Sequence, residues 1–119
     1  MNKYNAKEVI DNGERFDSKK EHQRYKELLL LQRAGEISGL LRQVKYELIP
    51  PQPVTVKENG KIKKKRLRST SYVADFVYTQ NGEIVVEDVK GCRKGAAYSI
   101  FSIKRKLMLE KYGILVREV

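Results

Sequence analysis

Two apolar-rich stretches, residues 71–79 and 83–90, lie on either side of Asn81-Gly82. An Asn-Gly pair between two such stretches is the strongest short-range signal for a β-hairpin with a two-residue turn. With Asn81 and Gly82 as the turn, Gln80 pairs with Glu83. The pattern therefore predicts two antiparallel strands in fixed register.

Charged side chains interrupt these strands at matching positions. Counting back from the turn places Asp75 opposite Asp88, and Lys90, two residues further on, shares the face of Asp88. Like charges that face each other destabilise a sheet, and both strands otherwise contain mainly Val, Ile, Phe and Tyr. A cation between the carboxylates would remove the repulsion, and Mg²⁺ suits oxygen ligands beside a lysine. The three residues are therefore a candidate site for cleaving phosphodiester bonds.

A helix is predicted over residues 19–34. Ser18 followed by Glu21 forms the capping-box pattern that begins helices, and Gly35 supplies a C-terminal stop. The apolar stripe of this helix includes Tyr25, Leu28, Leu29 and Ala34. Residues 1–16 are polar, lack clear periodicity, and are predicted to form a loose arm.

A strand followed by a second hairpin is predicted next. Residues 40–49 alternate so that Val44, Tyr46 and Leu48 share one face. Three prolines end this strand, because proline cannot donate to a ladder: Pro50, Pro51 and Pro53. Residues 54–68 predict a hairpin about Asn59-Gly60, and one of its arms is strongly basic. The cations of that arm are Lys61, Lys63, Lys64, Lys65, Arg66 and Arg68.

The C-terminal part predicts a basic loop, Gly91–Gly95, then a helix over residues 97–112 and a short strand, ILVREV. The helix has an apolar stripe of Ile100, Ile103, Leu107 and Met108. The order of elements is helix, strand with hairpin, strand, strand, helix, strand. It predicts a mixed α/β fold, with helices flanking a central mixed β-sheet, as one domain over residues 17–119.

The composition of the chain limits the class of molecule that it is expected to bind. The chain has 119 residues, enough for one modest core, and a formal charge of +10. Such an excess favours a polyanion, because neutralising phosphates releases counterions. The single cysteine, Cys92, excludes an internal disulfide and a multi-cysteine zinc site. No apolar run approaches the roughly 20 residues that span a bilayer, and MNKYNAKEVIDNG lacks a secretory core. The sequence thus predicts a cytoplasmic, intracellular protein with no membrane partner.

The acids and the lysine resemble the motif of the PD-(D/E)xK nuclease superfamily. Asp75 in VADF matches the first acid, Asp88-Val89-Lys90 matches acid-x-Lys, and Glu21 matches the helix glutamate of the Holliday-junction-resolvase-like branch. The likeness spans roughly residues 17–119 and is closest to small phage-encoded proteins, mostly uncharacterised, that share the SKKE…RY, YVADF and VVEDVKG blocks. Ala74 stands where these nucleases usually have proline.

The resemblance implies an αβββαβ restriction-endonuclease-like core and metal-dependent cleavage of DNA. Asp75, Asp88, the Val89 carbonyl and Glu21 would hold Mg²⁺ or Mn²⁺, with no other small-molecule cofactor. Lys90 would orient the attacking water or neutralise charge on the phosphate. The resemblance also makes a homodimer possible, because junction resolvers cut two strands across a two-fold axis.

Each assignment has a structural alternative. Glu21 at the third position of a Ser-capped helix is explained by capping alone. Glu87 could replace Asp88 as the ligand, but only Asp88 shares a face with Lys90. The acids could also form surface salt bridges.

The predicted DNA surface consists of the basic arm, from Lys61 to Arg68, together with Arg93, Lys94 and Lys104. The length leaves no room for a sequence-reading domain, which favours recognition of DNA structure. The sequence is also compatible with a non-catalytic nucleic-acid-binding accessory protein and with a ribosome-associated protein.

Overall fold

The computed structural model describes residues 7–119. The chain forms a mixed α/β protein with two helices and eight strands in this part. The elements are β1 (Val9–Asp11), β2 (Glu14–Phe16), α1 (Lys19–Arg33), β3 (Ser38–Ile49), β4 (Gln52–Glu58), β5 (Lys61–Leu67), β6 (Thr70–Gln80), β7 (Glu83–Asp88), α2 (Gly95–Tyr112) and β8 (Arg117–Glu118). Neither helix is long and apolar enough to cross a membrane, as far as the described residues go.

A four-stranded mixed sheet lies at the centre, in the order β3-β6-β7-β8. β3, β6 and β7 are antiparallel neighbours, and β8 pairs parallel to β7. The hairpin predicted about Asn81-Gly82 is confirmed, with Gln80 opposite Glu83. Both turn residues have positive φ, 52° and 77°, as the type I′ turn of a two-residue hairpin requires.

The two helices cover opposite faces of this sheet. On the first face, Leu28 of α1 packs with Phe76 and Tyr78 of β6. On the second face, Phe101 and Met108 of α2 pack in a cluster that also contains Leu48, Tyr72, Val77, Val86 and Val116. Val44 and Tyr46 join Leu48 on this second face, as their alternation predicts.

The predicted helix starting at Ser18 is confirmed, whereas the apolar stripe predicted for α2 is partly wrong. The Ser18 hydroxyl accepts a hydrogen bond from the Glu21 N–H, 3.1 Å away. In α2, Ile100 and Ile103 are more than half exposed, and Phe101 occupies the core. The phenylalanine ring buries more apolar area than isoleucine, so the helix turns Phe101 rather than its isoleucines towards the sheet.

The N-terminal segment was predicted as a loose arm, and the part described from residue 7 is instead ordered. β1 and β2 form a third Asn-Gly hairpin, about Asn12-Gly13. Phe16 at its end is fully buried, and its ring contacts Tyr25 of α1. The domain therefore begins before residue 17; residues 1–6 of the predicted arm lie outside the described part.

The predicted basic hairpin is present as a ribbon of two strands. Within the described part of the chain, β4 and β5 pair only with each other and not with the central sheet. Pro53, predicted to lie outside any strand, sits within β4 opposite Arg66. An edge strand tolerates proline, because one of its sides makes no ladder bonds.

Candidate active site

β3 and β6 change faces at the point where Gln43 and Asp75 meet. Ala74 packs on the α2 side of the sheet and Phe76 on the α1 side, although alternation would give them one face. The ladder skips the intervening pair, since the neighbouring partners are Arg42 with Phe76 and Val44 with Ala74. Gln43 has a φ of +53°, a left-handed conformation that is uncommon for a residue with a side chain. The irregularity removes Asp75 from the regular alternation of β6.

Asp75 uses this freedom to bind the neighbouring strand through its side chain. Its Oδ2 accepts a hydrogen bond from the Val89 N–H at 2.8 Å, just past the last regular pair of β6 and β7. The Gln43 side-chain amide donates to Oδ1 at 3.4 Å. Asp75 is thereby fixed beside the end of β7, where Asp88 lies.

Asp88 is buried at the C-terminal end of β7. Its Oδ2 accepts a hydrogen bond from the Tyr72 hydroxyl at 2.9 Å and lies 3.2 Å from the Lys90 Nζ. Its main-chain carbonyl accepts from the Val119 N–H, and the Val119 carbonyl accepts from the Lys90 N–H. The strand end is therefore held on both sides of the acid.

Lys90 contacts both an acid and a ring. Besides the ion pair with Asp88, its Nζ lies 3.6 Å from the centre of the Phe101 ring, a cation–π contact. Its carbonyl accepts a hydrogen bond from the Lys20 Nζ at 2.7 Å, which ties the site to the start of α1. The ammonium group is thus oriented from two directions.

Glu21 reaches the same place from α1. Its side chain is buried, pairs with the Arg42 guanidinium at 3.3 Å and interacts electrostatically with Asp75. Burial raises the pKa of the Glu21 carboxyl, as does the charge of Asp17, while Arg42 opposes the rise. The Glu21 carboxylate therefore faces both Arg42 and Asp75.

The electrostatics of the acid pair favour a proton or a cation. Burial, followed by hydrogen bonding to Asp88 and the charge of Asp88, raises the pKa of Asp75 to about 8. Burial and the nearby Asp88 also raise the pKa of the Tyr72 hydroxyl, which keeps it a hydrogen-bond donor. At neutral pH, Asp75 therefore holds a proton unless another cation replaces it.

We expect this titration to appear in the stability of the metal-free protein. An aspartate ionises near pH 3.8 when unfolded, so between about pH 4 and pH 8 the unfolded state loses a proton that folded Asp75 keeps. The free energy of unfolding of the wild type should therefore fall, relative to that of Asp75→Asn, as the pH rises. The fall should be at most about 1.4 kcal/mol per pH unit. Urea titrations in EDTA from pH 4.5 to 7.5 measure this difference.

The control is Glu83→Gln, which removes an exposed carboxylate at the opposite end of β7. Its stability curve should run parallel to that of the wild type. Parallel curves for Asp75→Asn as well would show that Asp75 titrates normally.

The donor set suits a hard divalent cation, although the described residues contain no group of three or more His, Cys, Asp or Glu side chains arranged to hold a metal ion. Asp75, Asp88 and Glu21 offer the carboxylate oxygens that Mg²⁺ and Mn²⁺ prefer. Val89 contacts Asp75 through its N–H, and ligation by its carbonyl remains a prediction. The pKa of Asp75 is raised because its ionised form is buried beside Asp88, and a bound cation would stabilise that ionised form. The charges of these residues therefore suit a divalent ion.

A groove of about 290 Å³ opens beside the acid and lysine. It is lined by Asp88, Lys90, Tyr72, Ile100, Phe101 and Lys104, among others. Lys104, a predicted DNA contact, thus lines the same groove as Asp88. Arg93 and Lys94 lie in the loop before α2, where both are exposed, and the Arg93 guanidinium pairs with Glu118. The basic residues from Lys61 to Arg68 are exposed on and just after β5.

Two features of this region are not predicted from the sequence. Tyr72 lies three residues before Asp75, so regular alternation assigns it to the opposite face and conceals its contact with Asp88. Glu87 is fully buried on the α1 side, where the Arg24 guanidinium binds both its carboxylate oxygens at 2.8 and 2.7 Å. The Tyr78 hydroxyl donates to it as well. The sequence predicts that Glu87 faces away from Lys90, but it does not predict this buried pairing with Arg24.

Fold and site together define a small mixed α/β protein with clustered acids and a lysine at the end of its central sheet. The chain belongs to a family described as "Protein of unknown function (DUF1064)", whose model matches residues 1–118. No curated protein and no solved structure matches it.

Proposed function

We propose that this protein is a Mg²⁺- or Mn²⁺-dependent endodeoxyribonuclease of the PD-(D/E)xK type, acting in the cytoplasm on branched or junction DNA. The observation that carries the proposal is the electrostatic interaction of Asp75 with both Glu21 and Asp88, together with the ion pair of Asp88 and Lys90. These side chains come from α1, β6 and the end of β7, and placing three acids together, two of them buried, has no evident benefit for folding.

The arrangement of elements supports the same class. α1, β3, β6, β7, α2 and β8 follow one another in the αβββαβ order expected for a restriction-endonuclease-like core, if the ribbon is taken as an insertion. Helices cover both faces of the sheet, and the candidate residues lie where β6 and β7 stop pairing.

The chemistry follows from the side chains. Asp75, Asp88 and Glu21, with the Val89 carbonyl, would hold the ion, which when bound polarises the phosphate and lowers the pKa of an attacking water. Lys90, held by Asp88 and Phe101, would orient that water or stabilise the charge that develops on the phosphate. Tyr72 would keep Asp88 in position by donating to its Oδ2.

A non-catalytic nucleic-acid-binding protein is the second candidate, and one observation favours it. Asp88 already has a cation and a hydroxyl donor as partners, and Asp75 holds a proton at neutral pH. The cluster is therefore internally neutralised and could persist as a purely structural feature.

Cleavage assays separate the two candidates. Purified protein is incubated with Mg²⁺, Mn²⁺ or EDTA and with linear duplex, flapped, single-stranded and four-way-junction DNA. The nuclease proposal predicts divalent-dependent nicking that is fastest on a branched substrate. Binding without cleavage on every substrate with both ions would favour the accessory protein.

Glu21→Gln is expected to reduce cleavage more than stability. Glutamine keeps the length of the side chain but loses the charge that faces Asp75 and Arg42, and the Arg42 guanidinium keeps its ion pair with Glu14. We expect cleavage at saturating DNA to fall by about tenfold or more, with little change in the urea midpoint. Unchanged cleavage, with stability lost only in Glu21→Ala, would make Glu21 a helix cap alone.

A further inference from the structure

The ribbon of β4 and β5 contributes little to the core of the protein. It pairs with no other strand of the described chain, and every residue of β5 is exposed. An isolated two-stranded hairpin is marginally stable in water, so folding alone gives no reason to keep one. The ribbon is therefore best understood as an interaction element.

Its cations are divided between two faces by the strand register. Directly paired residues of an antiparallel ribbon share a face, and successive residues alternate. Val54, Val56 and Glu58 therefore lie on the same face as their partners Lys65, Lys63 and Lys61, which we call the Glu58 face. The other face, which we call the acid-free face, carries Pro53, Thr55, Lys57, Ile62, Lys64 and Arg66.

The Glu58 face is partly occupied by its own contacts. The Glu58 carboxylate pairs with the Lys63 ammonium at 3.6 Å and also with that of Lys65. Val54 and Val56 between them are half-buried, as expected where lysine stems lie over apolar side chains. Two of the three lysines on this face thus already face a carboxylate.

The acid-free face presents its charges without such partners. Lys57, Lys64 and Arg66 make no ion pair within the described residues, and all three are exposed. Ile62 lies beside Lys57 near the turn and is 76% exposed. This face therefore combines three free cations with one apolar side chain at the tip.

We propose that the acid-free face binds in a groove of duplex DNA, with Lys57, Lys64 and Arg66 on phosphates and Ile62 against the groove wall. This inference rests on the proposed function only in taking DNA as the partner. The major groove of B-DNA, about 12 Å wide, admits a two-stranded ribbon. A seven-residue strand spans roughly 23 Å, about two-thirds of a helical turn, which brings both arms near phosphates.

Two double variants with the same charge loss test the assignment of the face. Lys64→Gln/Arg66→Gln neutralises the acid-free face, and Lys63→Gln/Lys65→Gln neutralises the Glu58 face. Affinity for a 20-base-pair DNA duplex is measured in EDTA over a range of salt concentrations. The first variant should weaken binding and lower the magnitude of the log-affinity against log-salt slope by roughly 1.8, at about 0.9 per phosphate contact. The second should change that slope by less than about 0.9.

Two further variants control for shape and for Glu58. Lys64→Arg/Arg66→Lys keeps both charges and should retain the wild-type slope, so a loss there would point to altered ribbon structure and overturn the proposal. Glu58→Gln releases Lys63 and Lys65 and should leave the slope within about 0.9 of the wild type. A clear increase in slope would assign phosphate binding to the Glu58 face.

Other outcomes also decide the matter. Equal or reversed effects of the two double variants overturn the proposal, as does a larger face effect with duplex RNA than with duplex DNA. Because these measurements exclude divalent ions, they are independent of cleavage. If the two double variants differ as expected but the protein cleaves no DNA, the nuclease proposal fails and this inference stands.

Discussion

Replacement of Asp88 by asparagine is expected to abolish divalent-dependent cleavage while leaving the protein folded and able to bind DNA. Asparagine can still accept the Tyr72 hydrogen bond through its amide oxygen, but it removes a charged ligand and the partner of Lys90. A bound divalent ion supplies several kcal/mol of transition-state stabilisation, so loss of its site should slow cleavage by about 10²-fold or more. Single-turnover cleavage of the best branched substrate with Mg²⁺ measures the effect.

The metal-free Asp88→Asn protein should remain folded. Lys90 loses its carboxylate partner but keeps its contact with the Phe101 ring, and the substitution removes the charge that disfavours ionisation of Asp75. Glu83→Gln, at the exposed start of the same strand, is the matched control and should cleave normally. Cleavage by Asp88→Asn at the wild-type rate would refute the assignment of this site.

Replacement of Glu87, one residue earlier, by glutamine is expected to lower the stability of the fold rather than to remove cleavage. Glu87→Gln leaves the Arg24 guanidinium, which is 21% exposed, without the carboxylate that binds it through two hydrogen bonds. Breaking a buried ion pair from one side costs about 3 kcal/mol or more. We expect a fall on the order of 10 °C in melting temperature, with cleavage retained at low temperature.

The double variant Arg24→Met/Glu87→Leu tests the cause of this loss. Replacing both members of a buried pair by apolar residues of similar volume is often neutral, so it should recover most of the stability that Glu87→Gln loses. Melting curves in EDTA for the wild type, Arg24→Met, Glu87→Leu and the double variant give the coupling energy. Additive losses would mean that the ion pair is not what holds β7 to α1.

The fold is largely predictable because its turns and caps carry local chemistry. Asn81-Gly82 and Asn59-Gly60 identify two hairpins with their registers, and Ser18 identifies the start of α1. The third hairpin has the same signal at Asn12-Gly13, but its strands are three residues long and mostly exposed. Alternation cannot reveal strands that bury almost nothing, so their existence depends on the contact of Phe16 with the rest of the domain.

The candidate site is predictable only in part. The separation of Asp88 from Glu87 follows from alternation because β7 is regular, and Lys90, two residues past the end of that strand, lies beside Asp88 as the same alternation predicts. The contact of Tyr72 with Asp88 and that of Gln43 with Asp75 do not follow from alternation, because β3 and β6 change faces at Gln43 and Asp75. Such an irregularity arises from long-range packing between strands, and no local pattern in YVADF predicts it.

The lysines of the ribbon have a second consequence, for solubility. β4 and β5 each leave one edge without a strand partner in the described structure, and open edges can pair with other chains. Positive charge opposes that pairing between copies of this protein by mutual repulsion. The repulsion weakens as the Debye length shrinks from about 10 Å at 0.1 M salt to about 3 Å at 1 M. Concentrated stocks in high salt would therefore expose the ribbon to edge-to-edge self-association, and moderate ionic strength is the safer storage condition.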